Sequence, residues 1–172
     1  MDVIDAIQNR RAVRKFSSQP VPDEVIHAIL AAGGRSQSSK NTQPWRFLVI
    51  RDPSMLERLS KLGDFAWHLA GANFAVILVG TVESTWNSFD LGQAAAQMQL
   101  AAHELGVGSC IAAIYQPDEA KRALGIPQDH SVFCAISFGY PSEEHKPLRM
   151  GGRKSLDDTV VWERWDSDTA SQ

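Results

Sequence analysis

Residues 74–79, Phe-Ala-Val-Ile-Leu-Val, form an unbroken apolar run in a chain of 172 residues. A short run of this kind, rich in β-branched side chains, is typical of a strand that is buried on both faces. It is too short to cross a bilayer as a helix. The run therefore predicts a sheet covered by helices, in a chain long enough for one domain with a sizeable core.

The periodicity of the remaining sequence places further strands and helices around this run. Three other runs predict strands, at residues 46–50, 110–115 and 132–138. Apolar spacing, acidic first turns and proline or glycine punctuation predict helices at residues 3–10, 22–33, 52–62, 90–105 and 117–125. A short helical turn is expected at residues 65–70, and loops at 34–42 and 83–86. Strands separated by helices indicate a single layered α/β or α+β domain over residues 1–172.

The composition narrows the class of function. A formal net charge of −3 and a pI ≈ 5.9 disfavour nucleic-acid binding, which usually needs a basic surface. Cys110 and Cys134 both lie in apolar runs, so they are expected as reduced core residues and not as a disulfide or a metal site. The acidic N-terminus has no long apolar segment, so we expect no signal peptide, no membrane association and a cytoplasmic location.

Three arginines, Arg10, Arg11 and Arg14, stand where the first predicted helix gives way to an extended run. The guanidinium fork matches phosphate bidentately, so a cluster at a helix end is a candidate anion clamp. The alternative is a solvated helix end, where cations are also favourable to the helix dipole. A phosphate-bearing cofactor is therefore the first class of ligand to test.

Four segments in order along the chain carry a resemblance to a known family. They are RRAVRKF at the N-terminus, SSKNTQPWRFLVI after the second helix, DLGQAAAQMQLAAHELGVGSC, and GRKSLDDTVVWERW near the C-terminus. Together they resemble the nitroreductase family of flavin enzymes. The resemblance implies an α+β fold with a central, mainly antiparallel sheet covered by helices. It also implies a homodimer with active sites at the interface, one FMN in each site, and NADH or NADPH as hydride donor.

The resemblance assigns two arginines from opposite ends of the chain, Arg10 and Arg153, to the FMN phosphate, a group of charge about −1.5 to −2. It places Arg11 and Ala12 against the cofactor mainly through their backbone. Arg14 is expected near the ribityl and pyrimidine part, where a cation stabilises the anionic reduced ring. A surface ion pair is the alternative for Arg14.

The polar loop after the second helix is expected to reach the flavin bound by the partner subunit. Its assigned residues are Ser36, Gln37, Ser38 and Asn41. Turn formation alone would also explain these residue types. The glycine-rich segment that ends at Cys110 and Ile111 is expected along the isoalloxazine edge that faces N5. Cys110 is expected to pack there and not to act as a nucleophile, because no base is placed for it.

The chain departs from the family pattern at three places. Ala12 stands where members usually have serine, which leaves a backbone contact intact. Ser36 and Gln37 stand where members often have alanine and proline. The segment between residues 79 and 90 is short, which indicates a small lid over the flavin and puts the family's substrate range in question.

The function implied is hydride transfer from NAD(P)H through FMN to a small oxidant such as a nitroaromatic or a quinone. No catalytic side chain is expected, since the cofactor carries the chemistry. Dehalogenation, oxygen-dependent flavin breakdown and a non-catalytic flavin-binding module are the alternatives. His68, beside Phe65 and Trp67, is the histidine expected nearest the substrate pocket.

The C-terminal extension, residues 153–172, contains Trp162 and Trp165, which are costly to leave in water. Docking on the partner subunit would bury both side chains. Packing back onto the same domain would do so equally well.

Overall fold

A four-stranded antiparallel sheet forms the centre of the protein. Its strands are β1 (Trp45–Ile50), β2 (Phe74–Thr81), β3 (Gly108–Ala112) and β4 (His130–Gly139). They are arranged in the order β1-β2-β4-β3, and every neighbouring pair is antiparallel. The structure is a computed structural model that describes residues 2–81, 85–147 and 152–165.

Strand β2 separates two apolar cores, one on each face of the sheet. Side chains alternate between the faces of a strand. Phe74 and Leu78 pack with the core that contains Leu91 and Met98, while Ala75 and Ile77 pack with the opposite core. Strand β2 is buried from Phe74 to Gly80, as the unbroken apolar run predicts.

Five helices cover the sheet in the described part of the chain. They are α1 (Val3–Asn9), α2 (Asp23–Gly34), α3 (Pro53–Leu59), α4 (Thr85–Glu104) and α5 (Pro117–Leu124). Short 3-10 turns lie at Ser39–Asn41 and Trp67–Leu69. Local signals define the helix ends: the Asp52 carboxylate caps α3, and Gly125 ends α5 with a φ of 67° that favours glycine.

Several predicted boundaries are wrong. Helix α4 begins at Thr85, so Trp86, assigned to a loop from sequence, lies in its first turn. Strand β3 ends at Ala112 and not at residue 115, because the Tyr115 N–H turns away to donate to the Leu62 carbonyl at 2.8 Å. Helix α3 ends at Leu59, three residues before its predicted end.

Helix α1 shows that helical spacing does not reveal where an apolar face is buried. Val3, Ile4 and Ile7 recur at the predicted spacing, yet they are 63%, 54% and 59% exposed. Only Ala6 of this helix is buried. The apolar face of α1 therefore does not belong to the core of its own chain.

The C-terminal segment, residues 152–165, is exposed along its whole described length. Trp162 and Trp165 are 81% and 73% exposed, so they do not pack back onto the domain. No helix in the described ranges is long and apolar enough to cross a membrane.

Candidate active site

The segment that follows α1 runs along the outer edge of β3. Helix α1 ends at Arg10, whose N–H donates to the Ala6 carbonyl at 2.9 Å while its own ψ of 129° starts an extended chain. Ala12 then forms a parallel bridge with Ser109, and the Val13 N–H donates to the Ser109 carbonyl at 3.0 Å. The arginine cluster is thereby attached to β3.

Gly108 makes this attachment possible. A Cβ atom at position 108 would lie 2.6 Å from the Cβ of Val13, closer than real Cβ contacts come. Val13 is buried at this point. A side chain at position 108 would therefore force the extended segment away from β3.

Two arginines of the segment lie within electrostatic reach of Cys110. Burial raises the pKa of the Cys110 thiol, and the charges of Arg14 and Arg10 oppose that rise without overcoming it. Arg14 also faces His68, whose pKa is lowered to about 4 by burial first and by the guanidinium second. Arg10, Arg14, Cys110 and His68 thus form one cluster at the edge of β3.

Two cavities flank the arginine segment. The first, of about 330 Å³, is lined by Arg10, Arg11, His103, Ser109 and His145 among others. The second, of about 470 Å³, is lined by residues that include Arg14, Lys15, Trp67, His68 and Glu144. The side chain of Ile111, which is half exposed, lies on the same strand edge. Six of the predicted cofactor residues are therefore brought together: Arg10, Arg11, Ala12, Arg14, Cys110 and Ile111.

The polar loop lies on the N-terminal half of α4. The Asp90 carboxylate, 2% exposed, accepts from the Ser39 N–H at 2.9 Å. Gln37 donates from its side chain to Gln93 at 2.8 Å. The Ser38 hydroxyl accepts from the Gln43 N–H at 3.0 Å. Contacts with α4 therefore hold the loop in place.

The loop and the arginine segment line different cavities of one chain. A cavity of about 280 Å³ beside α4 is lined by Gln37, Ser38, Trp86, Phe89 and Asp90 among others. Ser36 is buried, with its hydroxyl lacking a partner among the described residues. Asn41 is exposed at a φ of 56°, as the turn requires. Within a single chain these loop residues do not join the arginines.

Arg153 is exposed in the C-terminal segment, with no hydrogen bond or ion pair to the rest of the described chain. The contacts of this segment are local, as in the Ser155 hydroxyl that donates to Asp158 at 2.7 Å. Within one chain, no contact among the described residues joins Arg153 to Arg10.

Two residues of the site are not predicted from the sequence. Asp90 begins the third motif and precedes an apolar helix, a pattern that predicts the helix but not the contact of the Asp90 carboxylate with the loop. Ser137, in the middle of the apolar strand β4, carries no local signal at all. Its hydroxyl lies 2.8 Å from His68 Nδ1, a contact that only the fold creates.

The Nitroreductase family model matches residues 7–69 and 67–140 of the chain. The chain belongs to the nitroreductase family. A relative from Archaeoglobus fulgidus, provisionally named NADH dehydrogenase/NAD(P)H nitroreductase, is 31% identical over 95% of this chain and 99% of its own.

Solved structures of this family share the fold. An FMN-dependent nitroreductase from Clostridium difficile has a TM-score of 0.83 and 29% identity, over 94% of this chain and 99% of its own. A provisionally named nitroreductase from Desulfovibrio desulfuricans, solved in complex with FMN, has a TM-score of 0.81 and 27% identity, over 96% and 99%. The predicted α+β class with a mainly antiparallel sheet is confirmed.

Proposed function

We propose that this nitroreductase-family protein is an FMN-dependent oxidoreductase that passes hydride from NAD(P)H to a small oxidant such as a nitroaromatic or a quinone. The observation that carries the proposal is the convergence of Arg10 and Arg14 on the Cys110–Ile111 edge of β3. A phosphate needs cations, and hydrogen bonds from the protein to the flavin ring tune its electronics. Both are supplied within one short stretch of the surface, so the residues present fit FMN.

Each residue of the cluster has a role in this proposal. Arg10 binds the phosphate, with Arg11 and Ala12 contributing backbone contacts. Arg14 faces the pyrimidine end, and the backbone of Cys110 and Ile111 lies along the ring. When bound, FMN supplies the hydride-accepting and hydride-donating chemistry.

The protein's own side chains bind and orient and do not act as nucleophiles. The Cys110 thiol lies within reach of the Arg14 and Arg10 charges, and burial raises its pKa. A thiol that stays protonated near neutral pH is a poor nucleophile. This supports a reaction that depends on the cofactor and on the cations around it.

The proposal includes a homodimer with active sites at the interface. The loop residues Ser36, Gln37, Ser38 and Asn41 would then reach the flavin of the partner. Arg153 would reach the phosphate, and the C-terminal extension, residues 153–172, would dock on the partner. The exposed apolar face of α1 and the exposed Trp162 and Trp165 support this arrangement, because burying large apolar side chains at an interface lowers the free energy.

The experiment is the absorption spectrum of the purified protein, followed by anaerobic mixing with NADH and with NADPH. We expect a bound yellow flavin whose visible band is bleached rapidly by at least one of the two. Reoxidation by menadione and by a nitrobenzoate then tests the class of oxidant. A flavin that stays oxidised with both nucleotides would leave a binding module, and a protein that binds no FMN would overturn the proposal.

A further inference from the structure

His68 is buried beneath the sheet and connected to β3 through one intermediate side chain. It lies in the 3-10 turn Trp67–Leu69 and is 1% exposed. Its Nδ1 is 2.8 Å from the Ser137 hydroxyl, which is itself fully buried. That hydroxyl donates to the Cys110 carbonyl at 3.2 Å. A chain of two hydrogen bonds therefore runs from His68 to the backbone of β3.

The hydrogen-bond geometry is compatible with a neutral imidazole. A serine hydroxyl has one proton, and when Ser137 donates it to the Cys110 carbonyl, the His68 Nδ1 is the donor to the Ser137 hydroxyl. A pKa lowered to about 4 agrees with a neutral ring at neutral pH.

The second ring nitrogen of His68 is poorly satisfied. Its Nε2 is buried without a partner in good hydrogen-bond geometry, although the Ile111 backbone acts weakly on the ring and raises its pKa against the effect of burial. An unsatisfied buried polar atom costs about 1–3 kcal/mol, a cost that an apolar side chain would avoid. A polar residue kept at such a cost points to a functional role.

The hydrogen bonds from His68 end at the Cys110–Ile111 peptide, whose N–H points out of the edge of the sheet. Carbonyls of successive strand residues point to opposite sides, and the Ser109 carbonyl points outward to Val13. The Cys110 carbonyl therefore points inward to β4, where it meets Ser137. Because the peptide is trans and planar, the Ile111 N–H in the same unit points outward from the open edge.

We propose that His68 is a positioning residue of the flavin site, which acts through Ser137 to hold the Cys110–Ile111 peptide with the Ile111 N–H directed at the flavin ring. The inference rests on the proposed function, which places FMN at this edge. A hydrogen bond to the carbonyl of a peptide also polarises the N–H of that peptide. The two hydrogen bonds from His68 through Ser137 to the Cys110 carbonyl, called the relay below, therefore strengthen the Ile111 N–H as a donor as well as orienting it. His68 does not touch the flavin in this arrangement.

The first test uses the protein without FMN and does not depend on the proposed function. The Ile111 amide is followed by ¹H–¹⁵N spectroscopy after selective isoleucine labelling. Ser137→Ala and His68→Leu are expected to shift the Ile111 amide resonance in the same direction. Ser137→Thr, which keeps the hydroxyl, and His68→Asn, which keeps a donor near the Nδ1 position, are expected to restore it toward its original position.

The second test measures FMN binding by the same variants. Ser137→Ala and His68→Leu should raise the FMN dissociation constant about threefold to tenfold, the effect of one lost hydrogen bond, and should change the flavin reduction potential. The two conservative variants should recover most of both. Ile77→Val, in the same apolar core on β2, controls for loss of stability and should change neither value while lowering the melting temperature.

The outcomes separate the two proposals. If the unmodified protein binds no FMN, the proposed function fails, while the Ile111 resonance still reports on the relay. If FMN binds and the Ile111 resonance is the same in Ser137→Ala and His68→Leu, the relay is overturned. An Ile111 shift without any change in FMN affinity or potential also overturns it, as does a loss of affinity that Ile77→Val reproduces.

Discussion

The Val13 N–H donates to the Ser109 carbonyl at 3.0 Å, and this contact, with the Ala12–Ser109 bridge beside it, joins the N-terminal arginine cluster to the edge of β3. The attached segment has Arg10 beside one cavity and Arg14 beside the next. Two cations are thereby spaced along a strand edge instead of being scattered over the surface. The contact places residues that are distant in sequence beside the edge where FMN is proposed to bind.

Gly108→Ala tests this attachment. The added Cβ would lie 2.6 Å from Val13, and overpacking of this kind costs about 1–3 kcal/mol. We expect the FMN dissociation constant to rise at least about tenfold, measured by quenching of flavin fluorescence. Gly34→Ala is the matched control, because nothing lies within 4 Å of the new Cβ. Equal affinity in the two variants would show that the attachment does not determine binding.

Arg10→Ala removes the cation proposed to bind the phosphate. A hydrogen bond to a charged group contributes about 1.5–3 kcal/mol, so FMN affinity should fall about tenfold to 150-fold. Affinity for riboflavin, which has no phosphate, should change little. Arg51→Ala is the control, since Arg51 forms an exposed ion pair with Asp23 on another surface. A similar loss for both ligands would place Arg10 away from the phosphate.

The fold could be predicted from local patterns because each element carries its own signal. The apolar run of β2, the Asp52-Pro53 start of α3 and the Gly125 end of α5 all act over a few residues. Strand ends depend instead on partners far along the chain. The Tyr115 N–H donates to the Leu62 carbonyl instead of continuing β3, and no sequence pattern around residue 115 predicts that contact.

The site was predictable only where a motif marks it. Sequence motifs mark both the arginine segment and the Cys110–Ile111 edge, and the fold places them together. His68 is recognisable beside two aromatic residues, but its contact with Ser137 joins a turn and a strand that are distant in sequence. The sequence around a lone serine in an apolar strand does not distinguish a serine that only packs in the core from one that forms a functional hydrogen bond.

Asp90 anchors the polar loop to α4, and its loss should weaken the proposed contact with the partner's flavin. Asp90→Ala leaves the Ser39 N–H without its acceptor, so we expect about a tenfold rise in the FMN dissociation constant. Asp90→Asn keeps an acceptor oxygen and should recover most of the affinity. The exposed Asp64→Ala is the control. Wild-type affinity in Asp90→Ala would remove the loop from the binding site.

His68 should make the stability of the protein depend on pH. Burial, reinforced by the Arg14 charge, lowers its pKa from 6.5 to about 4 in the folded state. Between these values the unfolded chain binds the extra proton, so the stability contributed by the neutral ring is complete above pH 6.5 and is lost as pH falls toward 4. The expected loss is on the order of 3 kcal/mol.

The measurement is urea unfolding of the wild type and of His68→Asn from pH 8 to pH 4. The difference in unfolding free energy between them should move in favour of His68→Asn as the pH falls below 6.5. Other titrating groups act on both proteins and cancel in that difference. A difference that is constant over this range would show that His68 titrates normally in the folded protein.

Trp162 should contribute to the proposed dimer, because its side chain is 81% exposed in the single chain and a tryptophan buried at an interface often contributes at least about 2 kcal/mol. Trp162→Ala should therefore raise the dimer dissociation constant about thirtyfold, as measured by sedimentation velocity over a range of concentrations. Tyr115→Ala, which removes another exposed aromatic side chain, should leave it unchanged. A Trp162→Ala dimer as stable as the wild type would show that this side chain is not part of the interface. If the C-terminal extension also delivers Arg153 to the phosphate, FMN affinity and dimer stability will fall together in Trp162→Ala.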